Sequence, residues 1–308
     1  MPAWDTTQIP DQTNRTTIIT GATSGLGLSC ATSLAARGAT LILAVRNKAK
    51  GEAIAAELRA RNKTASITVE ALNLASLASV AAFADRVGNS VPRIDVLLNN
   101  AGLGMQPARI VTEDGFEQQF GTNHLGHFAL TGRLVPALLR AEHPRVVTVA
   151  SIAHRRGAIN WADPNFTAGY DGRLAYNQSK LANLMFALEL AARATAAGSR
   201  LASLAAHPGV SVTGFLAATT LPAWKQLVGN FAVNLLGQSA DAGAAPLLYA
   251  AAMPDAGNGD YWGPNGFLEI TGLPARAKCW PHALVRADWE RLWALSESLT
   301  GVSFPPLS

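Results

Sequence analysis

Thr17-Ile18-Ile19-Thr20-Gly21-Ala22-Thr23-Ser24-Gly25-Leu26-Gly27 decides how this 308-residue chain folds. A short apolar run, three glycines spaced GxxxGxG and a helical pattern from Leu28 to Arg37 follow one another directly. Strand, glycine turn and helix is the order in which backbone N–H groups cradle a phosphate. Gly21 supplies the tight turn, while Gly25 and Gly27 let the backbone approach a pyrophosphate and the helix pack on the strand. Thr23, Ser24 and Leu26 complete the loop, and the helix N-terminus adds N–H donors and partial positive charge. The same glycines would also suit an ordinary strand–helix turn, so the motif needs support from elsewhere in the chain.

Working outward, the next strand pattern, 39–45, ends at Arg46. In dinucleotide folds an acidic residue here binds the ribose 2′-OH, whereas an arginine accommodates a 2′-phosphate. No Asp or Glu occurs between Leu28 and Gly51, and Lys48 and Lys50 follow Arg46. NADP is therefore expected in preference to NAD, against the alternative that these cations only open a surface helix.

Apolar strand patterns alternate with helical ones as far as about residue 207, which predicts a parallel sheet with helices on both faces. Strands are expected near 16–20, 39–45, 66–72, 94–99, 145–151 and 201–207, and helices near 26–37, 48–61, 76–87, 114–141 and 176–197. A final strand near 258–268 is interrupted by Gly and Pro. One α/β domain covers 1–308, with 16–151 mainly cofactor-binding.

In the last of these helices Tyr176 and Lys180 lie four residues apart, which points phenol and ammonium along one face. A nearby cation favours phenolate over phenol, so Lys180 is expected to lower the Tyr176 pKa toward the range useful for proton transfer. Leu181, Leu184, Met185 and Leu188 give the same helix an apolar stripe.

With both motifs in view, the chain resembles the short-chain dehydrogenase/reductase family from about Thr16 to Gly214. Asn99-Asn100-Ala101-Gly102 matches the family's NNAG beside the cofactor. Asn123 matches the asparagine of the catalytic tetrad, and Ser151 the catalytic serine, with Ala150 replacing a serine often seen before it. Pro208-Gly209-Val210-Ser211-Val212-Thr213 matches the PGxxxT stretch that lines the nicotinamide. Asn73-Leu74 stands where the family usually has Asp-Leu near the adenine. The resemblance implies a doubly wound Rossmann fold, catalysis by Asn123, Ser151, Tyr176 and Lys180, and NADP(H) held by the glycine loop, Arg46, Asn73, Leu74, Asn100, Ala101, Gly102, Tyr176, Lys180, Pro208, Gly209, Val210 and Thr213. It further implies that Lys180 bonds the nicotinamide ribose and that Asn123 holds a water linking Lys180 to solvent.

Arg46-Asn47 with Lys50-Gly51-Glu52, Asn123-His124-Leu125-Gly126-His127-Phe128, Gln178-Ser179-Lys180-Leu181-Ala182-Asn183 and Tyr261-Trp262-Gly263-Pro264 are closer to the retinol-dehydrogenase-like branch, which includes WW-containing oxidoreductases. The long interval from Ser151 to Tyr176 fits that branch too. Family members associate as dimers or tetramers through the helices carrying Asn123 and Tyr176, while the branch leaves a monomer open.

Composition narrows the alternatives. At 49% hydrophobic and 15% charged the chain is globular. A net charge of +4, with scattered basic residues, lacks the stripe that nucleic-acid binding leaves. Two cysteines, Cys30 and Cys279, make no disulfide framework and suit a reducing, cytoplasmic setting. The N-terminal residues show no signal pattern, and no stretch approaches the ~20 apolar residues of a membrane span. His124 and His127 stand at i, i+3, but without a third ligand nearby packing or hydrogen bonding is expected of them and no metal is. His154 is a weaker substrate-contact candidate.

Two segments look like substrate-side elaborations. Residues 152–175 carry Gly, Asp-Pro and aromatic residues, and 211–240 form an apolar run from Phe215 to Leu236. The second reads equally as a lid or as a core or subunit contact, with a membrane-surface contact a lesser alternative. The function expected is reversible NADPH-dependent reduction of a hydrophobic ketone or aldehyde, with Tyr176 as general acid/base. A non-catalytic NADP-binding regulator and a reductase of activated C=C or C=N bonds are the alternatives.

Overall fold

A computed structural model describes residues 4–210 and 238–308. The order along the chain is β1 (Thr16–Thr20), α1 (Gly25–Ala36), β2 (Thr40–Val45), α2 (Lys48–Arg61), β3 (Ile67–Ala71), α3 (Leu77–Ser90), β4 (Val96–Asn99), α4 (Gln118–Phe120), a π-helical turn (Gly121–Leu125) running into α5 (Gly126–Leu138), β5 (Arg145–Val149), α6 (Gly172–Ala196), β6 (Ala202–Ala206), α7 (Ala240–Ala252), β7 (Tyr261–Pro264), β8 (Pro274–Arg276) and α8 (Arg286–Thr300).

The sheet order is β3-β2-β1-β4-β5-β6-β7-β8. The seven strands from β1 to β7 run parallel, and β8 returns antiparallel from β7. Successive residues of β1 feed opposite layers: Ile19 packs with α1, α2 and α7, and Ile18 with α3, α5, α6 and α8. Strands covered on both faces read as continuous apolar runs, which is why the parallel sheet was visible as sequence. The chain winds outward from β1 to β3, then returns to β4 beside β1. Order reverses between these two strands, and α/β sheets bind ligands in the crevice at the carboxyl ends there.

The expected strands and the first three helices are in place, and the differences lie at boundaries. The helix expected from 114 starts only at Gln118, because Val111 and Glu117 form an antiparallel bridge around Gly115. Both Glu117 carboxylate oxygens then cap the new start, accepting from the N–H groups of Gln119 and Phe120. Conversely, α6 begins at Gly172, not 176, because Asp171 Oδ1 accepts from Arg173 N and Leu174 N. Tyr176 therefore sits within a formed helix. The late strand stops at Pro264 and turns back as β8, a hairpin that local pattern did not show, and α7 and α8 were not anticipated either.

Candidate active site

The glycine loop leaves the end of β1 at the switch point. Gly21 and Gly25 adopt φ +69° and +53°, the left-handed region that favours glycine. A Cβ on Gly27 would stand 2.6 Å from Asn100 Nδ2 and closer still to the Gly21 carbonyl. The turn is tied across the crevice to the end of β4: Asn100 Nδ2 donates to Thr20 O (2.7 Å), and the N–H groups of Asn100 and Ala101 donate to Thr20 Oγ1 (both 2.9 Å).

A cleft of about 800 Å³ opens beside this turn. Gly21, Thr23, Ser24, Gly25, Leu26, Gly27, Arg46, Asn73, Leu74, Asn100, Ala101 and Gly102, residues expected to hold the cofactor, all line it, and Asn47, Lys50, Gln118 and Thr122 join them. The cleft holds two cations and no carboxylate, together with a bare backbone turn that side chains would fill. Those features fit a phosphate-bearing dinucleotide. Asn73 shapes its wall: Oδ1 accepts from Ala75 N (3.2 Å) and Nδ2 donates to Glu113 (3.2 Å).

A second cavity, of about 810 Å³, shares Leu26, Asn100 and Gly102 with the first and extends over Ser151, Tyr176, Lys180, Pro208, Gly209 and Val210. Thr213 and the run from Phe215 to Leu236 lie outside the described residues. Tyr176 and Lys180 are buried, with the Lys180 Nζ 5.9 Å from the centre of the phenol ring. Ser151 closes β5 and has two tasks. Its Oγ accepts from Ala153 N (3.2 Å), capping a short 3-10 turn over Ile152–Arg156, and it is hydrogen-bonded to Tyr176. Lys180 Nζ donates to Val149 O at 3.1 Å.

Burial dominates both titrations. It pushes the Tyr176 phenol up to about 12, opposed only by the Ser151 bond, and it pushes the Lys180 ammonium down to about 8. The expectation that Lys180 lowers the phenol is thus not met in the protein by itself. Desolvation of the buried tyrosine outweighs the pull of a cation whose own charge burial disfavours.

Asn123 stands beside these residues. It sits in the π-helical turn, an extra-residue bulge of the kind often found at functional sites. Its amide is fully engaged: Oδ1 accepts from Leu103 N (2.7 Å), and Nδ2 donates to Leu103 O (3.0 Å) and Ser179 Oγ (2.9 Å). These bonds pin the turn after Asn100 over the lysine. A Cβ placed on Gly102 would lie 3.2 Å from Asn123 Oδ1 and 3.5 Å from Lys180 Nζ, so the two side chains meet there.

The sequence reading missed the link behind this arrangement. His127 Nδ1 donates to Asn123 O (2.9 Å), leaving Nε2 to accept from Thr20 Oγ1 (3.0 Å). One buried neutral imidazole therefore joins the glycine turn to Asn123, and burial holds its pKa at about 4. The available signal was the i, i+4 spacing from Asn123. His124 bonds Ser296 Oγ (2.8 Å) within an aromatic group of Phe120, Phe128 and Phe186. His154 is buried against Ser151 O and Tyr261, away from the cavity. No metal-holding group occurs among the described residues.

A model of the short chain dehydrogenase family matches residues 15–224. The chain belongs to the short-chain dehydrogenase family. It is 36% identical over 301 residues to human retinol dehydrogenase 13, covering 94% of this chain and 86% of that protein. It is 39% identical over 306 residues to mouse polyprenol dehydrogenase, covering 95% and 86%. These relatives place it in the retinol-dehydrogenase-like branch of the short-chain dehydrogenases. A crystal structure of an uncharacterised protein from Mycobacterium paratuberculosis shares 44% identity and superposes with a TM-score of 0.81 over 98% of this chain and 99% of that one. As a short-chain dehydrogenase the chain is an oxidoreductase with a nicotinamide-cofactor fold. Among the described residues no helix is long and apolar enough to cross a membrane.

Proposed function

We propose that this protein is an NADPH-dependent reductase of ketones or aldehydes, reversible as an alcohol dehydrogenase. The observation that carries the reading is the meeting of Ser151, Tyr176 and Lys180 in one cavity that adjoins the glycine-loop cleft. Arg46 and Lys50 at that cleft, with no acidic residue between Leu28 and Gly51, favour a 2′-phosphate over a bare ribose hydroxyl.

When bound, the dihydronicotinamide supplies a hydride to the carbonyl carbon. Ser151 donates a hydrogen bond to the carbonyl oxygen, where negative charge grows. Tyr176, held protonated by burial at neutral pH, gives its proton to the forming alkoxide. Lys180 stabilises the phenolate left behind, and its own pKa of about 8 lets it exchange protons in the working pH range. Asn123 and His127 hold this lysine and the cofactor turn in mutual register.

Leu103, Met105, Ile152, Val210, Leu268 and Ile270 give the cavity an apolar wall suited to a hydrophobic substrate body. The relatives named for retinol and polyprenol point the same way. The test is cofactor oxidation with NADPH and NADH over hydrophobic carbonyl compounds, with Tyr176→Phe as control. The variant is expected to bind NADPH within a few-fold of wild type and to lose about 10²–10⁴ in kcat/KM. Unchanged turnover would remove Tyr176 from the acid role, and NADH preference would remove the 2′-phosphate argument.

A further inference from the structure

The cavity beside Tyr176 carries a charge imbalance that hydride transfer to a neutral carbonyl does not use. Arg155, Arg156, Arg173 and Lys180 line it, and no Asp or Glu does. Arg155 is paired: its Nη2 donates to Glu269 Oε2 at 2.6 Å and its Nη1 to Leu268 O at 3.0 Å. Glu269 also accepts from His207 Nε2 (3.1 Å). These bonds hold Leu268, at the cavity wall, and Glu269, outside its lining, in left-handed conformations, φ +52° and +59°. Arg155 is thereby explained as a wall fastener.

Arg156 and Arg173 have no such explanation. Both are exposed, and neither side chain has an ion-pair or hydrogen-bond partner among the described residues. The stretch 211–237 contributes Lys225 and no carboxylate to the sequence, so it offers them no counter-charge. Asp171 is the nearest acid in sequence, and its Oδ1 is engaged by the N–H groups of Arg173 and Leu174. Arg173 stands in the first turn of α6, where the helix dipole disfavours a cation, so helix stability does not account for it. Cofactor phosphates do not account for the pair either. The phosphate-type cleft is lined by Arg46 and Lys50, and neither Arg156 nor Arg173 reaches it.

We propose that the substrate is an aliphatic aldehyde or ketone that also bears an oxyanion, a carboxylate or phosphate, and that Arg156 and Arg173 bind this group. The inference rests on the reductase reading of the same cavity and adds the charge of the substrate to it. Guanidinium groups present planar forks that match carboxylate and phosphate oxygens. Arg173 precedes Tyr176 by three residues, which places their Cβ atoms roughly 5–6 Å apart on one helix face. Allowing for the arginine's length, the anion sits on the order of 10 Å from the reacting carbonyl. The apolar wall accommodates the chain between them.

The test compares three matched compounds sharing one aliphatic carbonyl chain and ending in a carboxylate, a phosphate monoester or a neutral methyl ester. Wild type is expected to favour an anionic compound over the ester by about tenfold in kcat/KM, equivalent to about 1.4 kcal/mol, through KM and less so at high salt. In Arg156→Gln/Arg173→Gln the ratio falls toward one, while the Lys double variant keeps part of it. Whichever anion shows the larger ratio identifies the group. Isothermal titration of the same compounds into NADP-loaded protein reads the preference without turnover. An ester handled as well as both anions, or a ratio unchanged in the Gln variant, overturns the proposal and leaves the reductase reading standing. Turnover of none of the three despite NADPH binding counts against the reductase reading, and the calorimetric ratio then decides the oxyanion site alone.

Discussion

Replacing Lys180 by methionine should make the protein more stable while removing its activity. Lys180 is 5% exposed and, among the described residues, faces no carboxylate and makes one hydrogen bond, to Val149 O. Burial takes its pKa from 10.5 to about 8. The unfolded chain therefore holds this proton more tightly than the folded one, and below pH 8 the fold bears a cost on the order of 3 kcal/mol. The sign follows from linkage: wild-type stability rises as pH climbs from about 8 to 10.5 and gains nothing further from this group above that. Methionine has similar length and no charge. The Val149 carbonyl stays satisfied, because Asn183 Nδ2 also donates to it at 3.1 Å.

The expected gain for Lys180→Met is about 1–3 kcal/mol at pH 7, the lower figure allowing for imperfect packing of the new side chain. Urea unfolding of both proteins without cofactor at neutral and alkaline pH reads it as a rise in midpoint at constant slope. The gap should close as pH rises from 8 to 10.5. A variant less stable than wild type at pH 7, or a gap that ignores pH, would refute the assignment of Lys180 as an uncompensated buried cation. Stability gained with turnover lost is the trade expected where a strained site serves chemistry.

Three further outcomes are expected. Gly27→Ala places a methyl against the Gly21 carbonyl and against Asn100 Nδ2, which is held by its 2.7 Å bond to Thr20 O, so NADPH affinity should drop at least about tenfold; a fluorescence titration within twofold of wild type would contradict the close-approach argument. His124, His127 and His154 are held neutral by burial, at about 3, 4 and 4. Their unfolded forms take up protons near pH 6.5 that the fold does not accept, so stability should fall steadily as pH drops from 6.5 toward 4. His127→Leu should shed one proton's worth of that slope and cost about 1–3 kcal/mol at neutral pH, because the Thr20 O–H keeps only a long 3.4 Å bond to Leu98 O and Asn123 O loses its His127 donor; denaturant melts across this pH range check both.

The sequence by itself determined the parallel strands from β1 to β6, the helices that alternate with them, and most of the cleft lining. Strands buried on both faces are apolar without interruption, and the glycine turn at the end of β1 is required by backbone approach; both are local facts written in neighbouring residues. The residues of the Ser151, Tyr176 and Lys180 group were legible in the same way, because a family resemblance preserves their order. Their electrostatics were not. Whether Lys180 acidifies Tyr176 depends on how much solvent each has lost, and burial is a property of the packed chain, where it pushes the phenol up and the ammonium down. The role of Asn123 was likewise decided in three dimensions, since its amide partners are Leu103, twenty residues earlier, and Ser179, fifty-six later. Helix starts followed caps that pattern did not weigh, Asp171 and Glu117. The β7–β8 hairpin rests on pairing between strands, and the unpaired arginines of the substrate cavity come from two segments, Ile152–Arg156 and the first turn of α6. Period and motif record what a residue's neighbours in sequence require; desolvation, charge balance and long-range pairing exist only once the chain has closed on itself.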